Sequence, residues 1–151
     1  MKPRDPRVAV LCALVLLAPA CSSPSTPDPA ASVHVQADLY SGRPNPEWDL
    51  AADDARQFLD RFNRLTSSRQ PSVPAPVGLG YRGVRASVDS GGTSMQMSIA
   101  KAIVQVDAAG TTAGRQLDDP DRALERWLVE TGRSALGSDV LDALLRDLAG
   151  E

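Results

Sequence analysis

Cysteine, histidine, lysine and aromatic rings are all scarce in this chain. Its 151 residues include two Cys, one His and two each of Trp, Tyr and Phe. Both cysteines, Cys12 and Cys21, fall near the N-terminus, and Cys12 lies in a segment that reads as a removable leader. One thiol at the very start of a mature chain has no internal partner, so no disulfide staples the fold. A zinc site needs several Cys or His ligands, and His34 with Cys21 cannot supply them. The same scarcity weakens a Ser-His-Asp triad, because His34 would have to be its base. Positive charge is thin as well: the formal net charge is −3, and Lys101 is the one lysine outside the leader. That argues against nucleic-acid binding and against electrostatic attachment to anionic lipid, both of which want clustered cations.

What is present begins with the leader. Lys2, Arg4 and Arg7 make a positive n-region, Val8–Ala18 an apolar h-region, and small residues around Ala20 precede Cys21. The apolar run is shorter than the roughly 20 residues needed to span a hydrocarbon layer, so a retained transmembrane helix is not expected. Leu17-Ala18-Pro19-Ala20-Cys21 resembles a lipobox, with cleavage before an acylated Cys21; Ala18 and Pro19 depart from the usual pattern. Without acylation the chain would be secreted after cleavage behind Ala20. The domain reading is a signal peptide over residues 1–20, a Ser/Pro-rich tether over 21–31 and a single domain over 32–151. Proline stiffens such a tether into an extended spacer. Losing Lys2, Arg4, Arg7 and Asp5 takes the net charge from −3 to −5.

Periodicity gives the fold class. Val33, Val35, Ala37 and Leu39 alternate with polar residues, as in a half-buried strand. Ser41–Pro46 is a turn, and a helix is expected from about Ala52 to Leu65 with Ala55, Phe58, Leu59, Phe62 and Leu65 as its stripe. A polar loop is expected over 66–77. Val84, Ala86 and Val88 alternate up to the hairpin signal Ser90-Gly91-Gly92, followed by Met95, Met97 and Ile99. Ala102–Val106 is a third strand of this meander, and 110–117 a loop. Asp118 or Asp119 then caps a helix with Pro120 at its first position and Leu124, Trp127 and Leu128 on one face. Gly132 ends it, and Ser138 caps a last helix with Leu141, Leu144, Leu145 and Leu148 inward. The expected pairs outside are Arg126 with Glu130 and Asp142 with Arg146. The sum is an α+β fold, a small antiparallel sheet with about three helices on one face.

The chemistry is sparse. Gly78-Leu79-Gly80-Tyr81-Arg82-Gly83 fits a dinucleotide fingerprint letter by letter, but a Pro-rich loop precedes it and a strand follows it. The motif needs a helix N-terminus to receive the pyrophosphate, so nucleotide binding is rejected. Asp118-Asp119-Pro120-Asp121 lacks the ligand spacing of a calcium loop, and helix capping explains it. No metal or cofactor is implied. The candidate binding residues are Arg43, Asn45, Trp48, Tyr81 and Arg82. Ser41–Trp48 is dense in shape-fixing residues, and Arg43 is a planar donor suited to a buried carboxylate fork. One reading makes it a rigid turn with Trp48 in the core. The other makes it a recognition loop in which Arg43, Asn45, Tyr81 and Arg82 converge.

The strings SGRPNP with a following Trp, GLGYRG and ALERWL resemble a set of small bacterial exported proteins with this pattern. The resemblance covers most of residues 33–130. It implies that both loops belong to one structural plan, and it carries no catalytic residue. Two functions from different classes follow: a non-enzymatic lipid-anchored module that binds a partner or supports the cell envelope, or a small envelope hydrolase using carboxylates and His34.

Overall fold

The computed structural model describes residues 31–69, 80–108 and 114–150. The leader, Cys21, the tether up to residue 30, and Gly78 and Leu79 of the glycine string lie outside the described residues.

A seven-stranded antiparallel sheet in the order β2-β1-β4-β5-β6-β7-β3 carries the helices on one face. Its strands are β1 (Ser32–Ala37), β2 (Glu47–Asp49), β3 (Thr66–Ser67), β4 (Val84–Ser90), β5 (Thr93–Ala100), β6 (Ile103–Ala108) and β7 (Arg115–Asp118). Register follows the alternation: Val33 opposes Val88, Val35 opposes Ala86 and Ala37 opposes Val84, all buried. Met97 and Val106 continue that row across β5 and β6. A slip of one residue would turn every one of these side chains to the opposite face. The other face is polar: His34, Ser87, Gln96 and Asp107 form one row across four strands.

The helices are α1 (Ala52–Asn63), α2 (Ala123–Thr131), α3 (Arg133–Leu136) and α4 (Ser138–Ala149). Ala55, Phe58 and Phe62 of α1 meet Leu124, Leu128 and Val129 of α2 and Leu141, Leu144 and Leu148 of α4 in one core with the sheet. Phe58 and Phe62 stack with ring centroids 6.2 Å apart. Leu59, Leu65 and Leu145, expected inside, are only partly buried at its margin.

Several local expectations are corrected. Two segments expected as loops contribute strands, since β7 begins at Arg115 and pairs with β6 while β3 pairs with β7 at the sheet edge. β2 adds an edge strand on β1 directly after the Pro-rich turn. Such strands, two to four residues long, hold too few side chains to show a period; pairing partners define them. Ser138 is the first helical residue and not the cap, which is Gly137 at φ 75°. Arg126 reaches the Leu148 carbonyl oxygen at 3.2 Å rather than Glu130, and Arg146 Nε donates to the backbone oxygen of Asp142 at 3.3 Å. Among the described residues no helix is long and apolar enough to cross a membrane.

Candidate functional site

The two loops singled out from sequence meet at Asp38, the first residue after β1. Asp38 is 8% exposed. Its Oδ1 accepts from Arg82 Nη2 and, at 3.2 Å, from Asn45 Nδ2, and its Oδ2 accepts from Arg85 Nη2 at 3.2 Å. Backbone bonds close the same junction: Asp38 N–H donates to the Gly83 oxygen at 2.9 Å, and Arg82 N–H to the Asp38 oxygen at 2.8 Å. Asn45 Oδ1 accepts the N–H groups of Leu39 and Tyr40 at 2.9 and 2.8 Å, closing the base of the loop together with the Ala37 N–H bond to the Pro46 oxygen at 2.9 Å. The short polar arm of Asn suits this work, because it substitutes for a backbone turn bond.

The expected bond from Arg43 to a carboxylate is made instead by Arg82, through a single Nη2 to Asp38 Oδ1. Arg43 instead lies over the Tyr40 ring, 3.4 Å from its centroid. Residues 41–44 are exposed, whereas Tyr40 is half-buried and gives its carbonyl oxygen to Arg82 Nη2 at 3.2 Å. Asn45 and Arg82 do converge, on an acid that the sequence reading missed. The available signal was modest: Asp38 follows directly on an alternating apolar run, at the point where a strand turns.

The Arg82 hydrogen bond, more than any other contact, holds the Asp38 carboxyl below the ordinary aspartate value of 3.8; burial opposes it, and the charges of Arg82 and Arg85 and the Asn45 bond add to it. A depressed folded value stabilises fully above the unfolded value and is lost as pH falls through the folded one. The melting-temperature gap between wild type and Asp38→Asn is thus expected to be constant above about pH 5 and to close in more acid solution. A gap that stays flat across acid thermal melts would show that this ionisation does not hold the junction.

Tyr81, beside Arg82, points elsewhere. Its hydroxyl donates to Glu125 Oε1 at 2.8 Å, and Glu125, in the first turn of α2, is 0% exposed. Arg122 closes the pair, with Nε to Oε2 at 2.9 Å and Nη2 to Oε1 at 3.1 Å. Burial first, then the Glu125 charge, raises the Tyr81 pKa above its ordinary 10.0, so the phenol stays a donor. The fork is bidentate, the geometry at which Arg surpasses Lys. Glu125 was also missed from sequence; its signal was an acid inside the apolar arc formed by Leu124, Leu128 and Val129.

Backbone strain surrounds this group. Asp121 (φ 57°) and Arg122 (φ 53°) are consecutive left-handed residues in the turn Pro120–Arg122. For this reason α2 starts at Ala123 and not at Pro120. Asp119, 1% exposed, caps it from a distance, taking Leu124 N–H on Oδ1 at 2.9 Å and Glu125 N–H on Oδ2 at 3.0 Å. Asp119 N–H also donates to the Ala102 oxygen at 2.8 Å, binding this turn to the β5–β6 hairpin. That hairpin turns through Lys101 (φ 50°) and Ala102 (φ 64°), a two-residue loop of the type that prefers Asn-Gly. Left-handed residues other than glycine cost about 1–3 kcal/mol each and persist where the surroundings over-determine them. One member of each strained pair, Lys101 and Arg122, lines a cleft of about 260 Å³ whose wall also includes Tyr81, Arg82, Glu125 and Asp147.

Trp48 stands apart from these groups. Its Nε1 donates to Thr131 Oγ1 at 3.1 Å, and its ring lies so close to Gly132 that a Cβ there would be 2.6 Å from a ring carbon. It is a clamp on the end of α2, half-buried rather than fully in the core. His34, on the polar face of the interior strand β1, lies 2.9 Å by Nδ1 from Asp49 Oδ1 and 3.6 Å by Nε2 from Glu47 Oε2. Among the described residues no three His, Cys, Asp or Glu side chains are grouped to hold a metal ion. No family model, curated protein or solved structure matches the chain.

Proposed function

We propose that this chain is a lipid-anchored envelope protein, held at the membrane through acylated Cys21, that binds a protein partner with the loop between β1 and β2 and catalyses no reaction. The lipobox-like leader and Pro/Ser tether support the anchor. The observation that carries the binding reading is the contrast within the loop. Asp38 and Asn45 tie down its base, while Arg43 rests on Tyr40 with residues 41–44 exposed. An Arg already resting on a ring loses less side-chain freedom when a partner docks than one free in solvent. Arg and Tyr are also the residues that most often dominate protein interfaces.

In-cell crosslinking with mass spectrometry, wild type against an equally expressed Arg43→Ala, tests this. We expect wild type to capture an envelope protein that the variant loses, with melting temperature unchanged because Arg43 is exposed. A sharp fall in melting temperature with capture unaltered would make Arg43 structural and remove the site.

The alternative, a small hydrolase using His34 and carboxylates, has one observation in its favour. His34 lies between Asp49 and Glu47 on an exposed face, an arrangement able to hold a base in one tautomer. Loss of function in a fully folded His34→Ala would establish that reading against the first.

A further inference from the structure

The cleft beside the β5–β6 turn is distinct from the Arg43 loop, and its side chains have an unequal balance of donors and acceptors. Glu125 is consumed by Tyr81 and Arg122, and Arg122 spends a further donor on Asp147, whose backbone oxygen lies 3.4 Å from Nη1. Arg82 gives Nη2 to Asp38 and Tyr40, which leaves Nε and Nη1 without an acceptor among the described residues. Lys101 is exposed and has no ion-pair partner among them. The other acid of the wall, Asp147, is 61% exposed and paired with Arg122 at 3.8 Å, where water screens it. A rim with spare cationic donors above a neutralised floor is complementary to acceptor oxygens.

The turn itself points the same way. Lys101 occupies a left-handed position for which Asn or Gly is the favoured choice, so this turn carries a lysine at a conformational cost. Strain of this kind concentrates where a side chain is needed in one place. The neighbouring Arg122 is held in the same unfavourable conformation, and the Asp119–Ala102 bond fixes the two turns relative to each other. The cleft therefore has walls that are set before any ligand arrives.

We propose that this cleft binds a small oxyanion, a carboxylate or phosphate group, on the Lys101 ammonium with support from Arg82.

The test is a backbone-amide NMR titration of the full chain in a neutral detergent, with sodium acetate in one series and sodium phosphate in another. We expect saturable shifts centred on Gly83, Lys101 and Arg122. Lys101→Asn removes the charge but suits the left-handed turn, so it should weaken binding about tenfold while raising the melting temperature. That opposite movement separates a binding role from a structural one. Shifts with acetate alone identify the ligand group as a carboxylate, and shifts with phosphate alone as a phosphate; either supports the site. No saturable shift in either series, or equal affinity in Lys101→Asn, overturns the proposal without touching the Arg43 loop.

Discussion

Glu125→Ala is expected to destabilise the fold by roughly 3–5 kcal/mol, the range for removing one partner of a buried charge pair. Against a total stability of about 5–15 kcal/mol for an ordinary domain, such a loss is a large fraction of the whole. The cause is what remains behind. Arg122, with 23% of its side chain exposed, would keep its charge and lose both oxygens of its fork. Tyr81 would retain a buried hydroxyl with no acceptor. Truncating a side chain that is 0% exposed also leaves a cavity, which adds a further term. Two comparisons sharpen the expectation. Tyr81→Phe deletes one hydrogen bond and should cost about 1 kcal/mol. Glu125→Leu combined with Arg122→Met and Tyr81→Phe should recover most of the loss, because an apolar cluster of similar volume replaces a buried ion pair at little net cost. Urea denaturation of the three variants measures this directly, and a Glu125→Ala within about 1 kcal/mol of wild type would show that the buried pair does not hold α2 to the sheet.

Gly83→Val is the second large effect. A Cβ at this position would lie 2.6 Å from the Ile99 carbonyl oxygen and 2.7 Å from Ala100 Cβ, at a φ of +124°. The backbone cannot move aside cheaply, since the Gly83 oxygen holds Asp38 N–H at 2.9 Å and Val84 already opposes Ile99 in the ladder. Steric overlap, a forbidden φ and a weakened Asp38 junction act together, for an expected loss on the order of 3–5 kcal/mol. Gly83→Ala should recover little of it, because the first side-chain carbon already makes the clash. Gly80→Ala is the matched control, with φ +107° but nothing within 4 Å of the added carbon. It should cost only the conformational part, about 1–3 kcal/mol. Equal losses for the two alanine variants in chemical denaturation would mean that the close approach to Ile99 is not what requires glycine.

These two positions are linked through Arg82. Its backbone and side chain hold Asp38, its guanidinium reaches the carbonyl of Tyr40 under Arg43, and the same side chain walls the cleft beside Lys101. Damage at Gly83 or Asp38 is therefore expected to disturb both proposed surfaces, whereas Arg43 and Lys101 variants separate them. For that reason the binding experiments rest on the latter pair.

The sequence by itself determined the elements whose signal is local. Val33, Val35 and Ala37, then Val84, Ala86 and Val88, then Met97 and Ile99, carry a period of two over enough residues to define strands and their buried face. Ala55, Phe58 and Phe62, and Leu141, Leu144 and Leu148, do the same at the helical period. Together these give the α+β class, and the glycine of GLGYRG that enters a strand as a tight passage is also visible there. What only the tertiary structure decided are the pairings between segments far apart in the chain. Trp48 finds Thr131 across 83 residues, Tyr81 finds Glu125 across 44, and Arg82 rather than Arg43 takes Asp38. Short strands such as β3 and β7 exist because a neighbour supplies their hydrogen bonds, not because their own residues alternate. Periodicity records which side of an element avoids water; it holds no information on which polar group will meet which once several elements are packed, because that depends on distances set by the whole core.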